Sequence, residues 1–133
     1  MASSSSPPRP VVLVVEDEPL LMMSAVEMVE SLGYAVVEAT DADQACKILE
    51  ERKDIRVVFT DIQMPGTMDG LKLASVIRDR WPPIEIIVTS GVLTARDIDL
   101  PARSLFFSKP YSVERVGAAI RAFVGETSDP PGA

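Results

Sequence analysis

Short apolar runs alternate along the chain with longer segments of helical period. Val11-Val12-Leu13-Val14-Val15 is β-branched and too short for a helix, so it predicts a strand. Pro19 suits a first helical turn, the stretch to Leu32 is mostly apolar, and Gly33 sits where a left-handed cap would end the helix. Tyr34 to Ala39 reads as a second strand. Asp41 with Gln44 three residues later resembles a capping box opening a helix to about Arg52, with Ile48 and Leu49 facing the core. Arg56 to Thr60 is the third strand, followed by a Met64-Pro65-Gly66 turn and a helix from about Gly70, capped by Asp69, to Arg80. Ile84 to Thr89 is the fourth strand and Leu105-Phe106-Phe107 the fifth. Ser112 caps a last helix whose Val113, Val116, Ile120, Phe123 and Val124 keep helical spacing.

Strands that alternate with helices imply right-handed crossovers and a parallel sheet, because hairpins cannot join parallel neighbours. The nearly unbroken apolar runs Val11–Val15, Arg56–Phe59 and Ile86–Val88 are those of strands covered on both faces. The expected fold class is therefore α/β with three layers. One connection fits poorly: between Ser90 and Ser104, a Gly at the start and Pro101 near the end leave space for at most about two helical turns. The fourth crossover helix is expected to be short, distorted or absent. The Ser- and Pro-rich residues 1–10 read as a disordered tail, 11–124 as one domain, and the polar, Pro-rich 125–133 as a flexible end.

Composition narrows the chemistry. With 133 residues and 47% hydrophobic residues the chain can bury one core without staples. Cys46 is the only cysteine and histidine is absent, so no internal disulfide, Cys-based zinc cluster, Ser-His-Asp triad or imidazole base can be built from this chain alone. Thirteen Lys and Arg against twenty Asp and Glu give a net charge of −7, which disfavours nucleic acid and anionic membrane surfaces. No segment approaches the roughly 20 apolar residues of a membrane span, so a soluble, cytoplasmic protein is expected.

In open parallel sheets ligands bind beyond the carboxyl ends of the strands. The first strand ends in Glu16-Asp17, the third in Thr60-Asp61, the fourth in Thr89-Ser90 and the fifth in Ser108-Lys109. Carboxylates gathered on one rim repel, and a hard divalent cation with oxygen ligands and several waters relieves them, which predicts Mg²⁺. Positions left open on the metal suit phosphoryl oxygens, to which Lys109 offers a charge and Ser90 a hydrogen bond. Asp61 is then placed to act as a nucleophile and form an acyl phosphate. Taken singly, each of these residues is more often a cap, a turn former or a solvated charge; four matched strand ends outweigh that.

The same residues resemble the receiver domain of two-component response regulators: Glu16-Asp17 after a Val-rich strand, Asp61-Ile62-Gln63-Met64-Pro65 with Asp69-Gly70, Thr89-Ser90-Gly91, and Lys109-Pro110-Tyr111, in that order from about Val11 to Val124. The resemblance implies a flavodoxin-like (βα)5 fold of strand order 2-1-3-4-5, with Asp61 accepting a phosphoryl group from a histidine of a sensor kinase or phosphotransfer protein. It implies Mg²⁺, or Mn²⁺, held by Asp17, Asp61 and the backbone carbonyl of Gln63, with Glu16 reaching it through water. Ser90 and Lys109 would hold the phosphoryl oxygens, Ser90 and Phe106 would form the conformational switch, and Gln63 and Val92 would tune attack by water. The Lys109–Pro110 bond would be cis. Output would run through protein contact or homodimerisation on the face of the fourth helix, fifth strand and fifth helix, and with no output domain following, a single-domain regulator is expected. Slow loss of phosphate aside, no enzymatic turnover is implied.

Three features depart from the family pattern: Glu16 where Asp is commoner, a turn from Met64 to Gly70 one residue longer than usual, and the thin fourth crossover. Rival readings each meet an obstacle. A phosphohydrolase of the haloacid dehalogenase type needs a second Asp where Gln63 stands, and a flavin mononucleotide site needs phosphate-binding groups where Glu16-Asp17-Glu18 would repel them. A pseudo-receiver would have lost a required residue type, and none is missing.

Overall fold

A computed structural model describes residues 9–63, 68–91 and 98–125. In chain order the elements are β1 Val11–Val15, α1 Pro19–Ser31, β2 Ala35–Ala39, α2 Ala42–Glu51, β3 Ile55–Asp61, α3 Gly70–Arg80, β4 Glu85–Ser90, β5 Ser104–Ser108 and α4 Val113–Phe123. The strands form one sheet of order β2-β1-β3-β4-β5, and every pairing is parallel.

The pleat sorts the apolar residues onto two faces. Leu13, Val15, Val58, Ile86 and Val88 pack with Ala45 and Leu49 of α2 and Leu73 and Ile77 of α3. Val12, Val14, Val57, Phe59 and Ile87 pack on the other side with Met22 and Val29 of α1 and Val116 and Ile120 of α4. With both faces covered, β1 is buried along its whole length, which is why its sequence reads Val-Val-Leu-Val-Val without alternation.

Helix starts follow the capping chemistry. The side chains of Asp41, Asp69 and Ser112 accept hydrogen bonds from the backbone N–H groups of Gln44, Lys72 and Arg115. The box at α2 differs in one detail: Gln44 Oε1 accepts from the N–H of Thr40, at 2.6 Å, rather than from that of the cap residue Asp41. α1 closes on Gly33 at φ +98°, a conformation that costs glycine little.

Several strand limits shift from those expected. Tyr34 precedes β2 and is buried, and the N–H of Ile84 turns back to the carbonyl of Trp81, so β4 starts at Glu85. β3 runs on to Asp61 because the ladder continues through the pair Asp61 and Thr89, and β4 runs on to Ser90, which pairs with Ser108 of β5. Asp61 and Ser90 are therefore the last residues of their strands.

Among the described residues no helix lies between β4 and β5; Ile98 and Leu100 pack against the α2–α3 side of the core instead. Residues 64–67, 92–97 and both tails, including Val92 and the expected Met64-Pro65-Gly66 turn, lie outside the described residues. A polar clamp fixes the return to β5. The Arg78 guanidinium donates to the carbonyls of Ala102 (2.7 Å), Pro82 (2.7 Å), Ile84 (2.9 Å) and Arg103 (3.1 Å). Arg103, at φ +60°, forks onto the buried carboxylate of Glu85. An arginine can reach several carbonyls at once because its five donors are held in one plane.

Arg78→Lys keeps the charge and loses that fork. It is expected to lower stability by about 1–3 kcal/mol in urea unfolding, and an unchanged midpoint would contradict the clamp.

Candidate functional site

All the strand ends that carry polar groups meet at the carboxyl edge of the sheet. Asp61 closes the central strand β3, with β1 and β4 on either side, and only 7% of it is exposed. An ionised carboxylate at this depth needs partners. Lys109 Nζ donates to Asp61 Oδ2 at 2.9 Å, and the backbone N–H of Gln63 donates to Oδ1 at 3.2 Å. Lys109 arrives from two strands away; its own N–H bonds the carbonyl of Ser90 at 2.9 Å, so β4 sets the depth at which the ammonium meets Asp61.

Burial lowers the proton affinity of Lys109, but the hydrogen bond from its ammonium to Asp61 and the charges of Asp61, Glu16 and Tyr111 outweigh it, so its pKa lies above that of an ordinary lysine. The folded protein therefore holds this proton more tightly than the unfolded chain. The pair's contribution to stability is fully present below the unfolded lysine value and is lost as pH rises through the folded one. Burial also raises Glu16, helped by the charges of Asp61 and Asp17 and opposed by the Glu18 N–H and Lys109. Glu16 Oε2 accepts that N–H at 3.1 Å, so its carboxylate bends back over the first turn of α1.

Of the residues predicted from sequence, Asp61, Lys109 and Gln63 are in direct contact, and Glu16 lies within electrostatic range of Asp61, Asp17 and Lys109. Asp17 is exposed at the rim. Ser90 is fully buried, and its hydroxyl donates to the side-chain oxygen of Gln63 at 3.0 Å. Phe106 is half-buried against the α2–α3 side of the core. The Lys109–Pro110 peptide bond is cis. Tyr111 is half-buried and meets Phe59 edge to face at 5.7 Å.

Among the described residues no three acidic or cysteine side chains converge into a ready-made metal cage. The donors at the rim are nonetheless all hard oxygens, with two carboxylates buried enough to repel. That set fits Mg²⁺, which takes one or two protein carboxylates and keeps its waters, and fits no soft or nitrogen-seeking metal.

Two features escaped the sequence reading. A cavity of about 420 Å³ opens beside Asp61, lined by Leu21, Ala25, Phe59, Thr89, Lys109 and Tyr111. Its walls come from segments far apart in sequence, so no local pattern marks it. The second is the close approach at Gly70, a residue known from sequence as a helix start and as part of the Asp69-Gly70 signature: a Cβ there would lie 2.2 Å from the carbonyl oxygen of Asp61, so α3 can start against the end of β3 only with glycine at this position.

Residues 12–121 match the response regulator receiver domain family. The chain belongs to that family, whose members take part in two-component signalling through phosphorylation of an aspartate. It is 29% identical over 109 residues to the nitrogen assimilation regulatory protein NtrX of Azorhizobium caulinodans, covering 79% of this chain and 24% of that protein. The chain thus spans about a quarter of that relative's length. Among solved structures, a response regulator receiver protein from Sinorhizobium medicae superposes with a TM-score of 0.79 at 23% identity, covering 88% of this chain and 95% of that one. The response regulator protein TrrA from Thermotoga maritima, in complex with Mg²⁺-BeF, gives 0.76 at 24% identity, with coverages of 85% and 97%. Both likenesses establish the flavodoxin-like receiver fold, order 2-1-3-4-5. No helix among the described residues is long and apolar enough to cross a membrane.

Gly70→Ala forces a backbone shift under the Asp61 carbonyl. A loss of about 1–3 kcal/mol in thermal or urea unfolding is expected, together with altered backbone NMR shifts at Asp61 and Ile62; a variant with wild-type stability and shifts would contradict the close packing.

Proposed function

We propose that Asp61 accepts a phosphoryl group from a phosphohistidine of a partner kinase or phosphotransfer protein, and that the chain passes the event on through protein–protein contact. The observation that carries this reading is the buried carboxylate of Asp61 held by Lys109 at 2.9 Å beside a cavity open to an incoming ring. An Asp61 oxygen attacks phosphorus; as the new P–O bond forms, the P–N bond to the imidazole breaks and the ring nitrogen leaves with the electron pair. The donor ring belongs to the partner, since this chain has no histidine.

Lys109 moves from neutralising the carboxylate to neutralising phosphoryl oxygens, and Ser90 supplies a hydrogen bond to the same group. Mg²⁺, or Mn²⁺, bound by Asp17, Asp61 and the backbone carbonyl of Gln63, with Glu16 acting through water, would offset phosphoryl charge. Leu21 of α1, 42% exposed, lines the cavity and offers a partner helix an apolar seat. Phosphorylation then draws Ser90 inward and Phe106 follows, altering the surface of the β4–β5 connection, β5 and α4, where a target or a second copy docks. Gln63 and Val92 set the lifetime of the phosphate. A domain from residue 11 to 124 in the cytoplasm goes with this reading.

Intact-mass analysis after incubation with acetyl phosphate and Mg²⁺ tests it. A labile adduct of one phosphoryl group is expected, absent from Asp61→Asn and from the metal-free sample. An adduct that persists in Asp61→Asn, or folded wild type that takes no phosphate from either acetyl phosphate or a phosphohistidine protein, would contradict it.

A further inference from the structure

Gln63 is tied to both halves of the site. Its backbone N–H donates to Asp61 Oδ1 at 3.2 Å, while its side-chain oxygen accepts the hydroxyl proton of Ser90 at 3.0 Å, a contact spanning 27 residues of sequence. Ser90 is wholly buried at the end of β4, and its carbonyl is held by the Lys109 N–H. The hydroxyl carries a single proton, which it gives to one acceptor at a time. A proton given to Gln63 is not given to a phosphoryl oxygen on Asp61.

We propose that Gln63 is a positioning residue, a latch that holds the Ser90 hydroxyl in the unphosphorylated direction and must release it before Ser90 can bind a phosphoryl group. This inference rests on the reading of Asp61 as the phosphoryl acceptor. It differs from the water-tuning role that the resemblance implies for Gln63, because the latch acts on the resting protein and only through Ser90. Gln63 is exposed, so its released amide is taken up by water. The cost of release is then about that of one net neutral hydrogen bond, roughly fivefold in an equilibrium constant.

Four proteins test the latch: wild type, Gln63→Met, Ser90→Ala and the double variant. Beryllofluoride with Mg²⁺ serves as the phosphoryl mimic, titrated by calorimetry, and metal-free unfolding in urea is measured on the same four. The metal-free set is expected to show a non-additive coupling of about fivefold between Gln63 and Ser90. Gln63→Met is expected to bind beryllofluoride about fivefold more tightly than wild type, with no tightening where Ser90 is already Ala. Additive effects in the metal-free set overturn the bond. Equal or weaker beryllofluoride binding by Gln63→Met, or equal tightening in the Ser90→Ala background, overturns the competition. Wild type that binds no beryllofluoride while the metal-free coupling persists overturns the phosphoryl reading of Asp61 and the latch function with it, a result distinct from failure of the latch alone.

Discussion

The site depends on one ion pair, Asp61 with Lys109, made where a sheet buried on both faces comes to its end. The strands that build the sheet are apolar because helices cover them on both sides, so charge can enter only at the strand ends. Asp61 closes the central strand, buried between β1 and β4, and its carboxylate is stable there because the Lys109 ammonium, just beyond β5, reaches it. The same pairing sets a carboxylate and a cation side by side, the arrangement on which the proposed phosphoryl transfer to Asp61 rests.

The rest of the fold holds that geometry. β4 lies between the two partners and fixes their separation through the Ser90 carbonyl and the Asp61–Thr89 register. Gly70 lets α3 begin directly under the Asp61 carbonyl. At the opposite end of β4, the Arg78 fork and the Arg103–Glu85 pair secure the entry to β5, so the strand that carries Lys109 is anchored at its start by polar contacts.

The strands, though not their end residues, and the caps of α2, α3 and α4 were legible because they rest on local rules: β-branched runs of about five residues for strands, Asp or Ser ahead of a helical period for caps. Asp61, Ser90 and Lys109 could be singled out for the same reason, each following an apolar run. Strand order was not readable from pattern and came from the family resemblance, which the sheet and the family match bear out. The Gln63–Ser90 bond, the cavity beside Asp61 and the four-carbonyl reach of Arg78 depend on residues brought together by the crossovers, and sequence spacing carries no trace of them.

The most direct test of the central ion pair is an NMR titration of the Lys109 Cε resonance in wild type and in Asp61→Asn. In wild type the ammonium is expected to titrate above the ordinary lysine value of 10.5, and in the variant, where burial is no longer opposed by the carboxylate, at lower pH. A wild-type titration at or below the ordinary value, or one that Asp61→Asn leaves unchanged, would contradict the account.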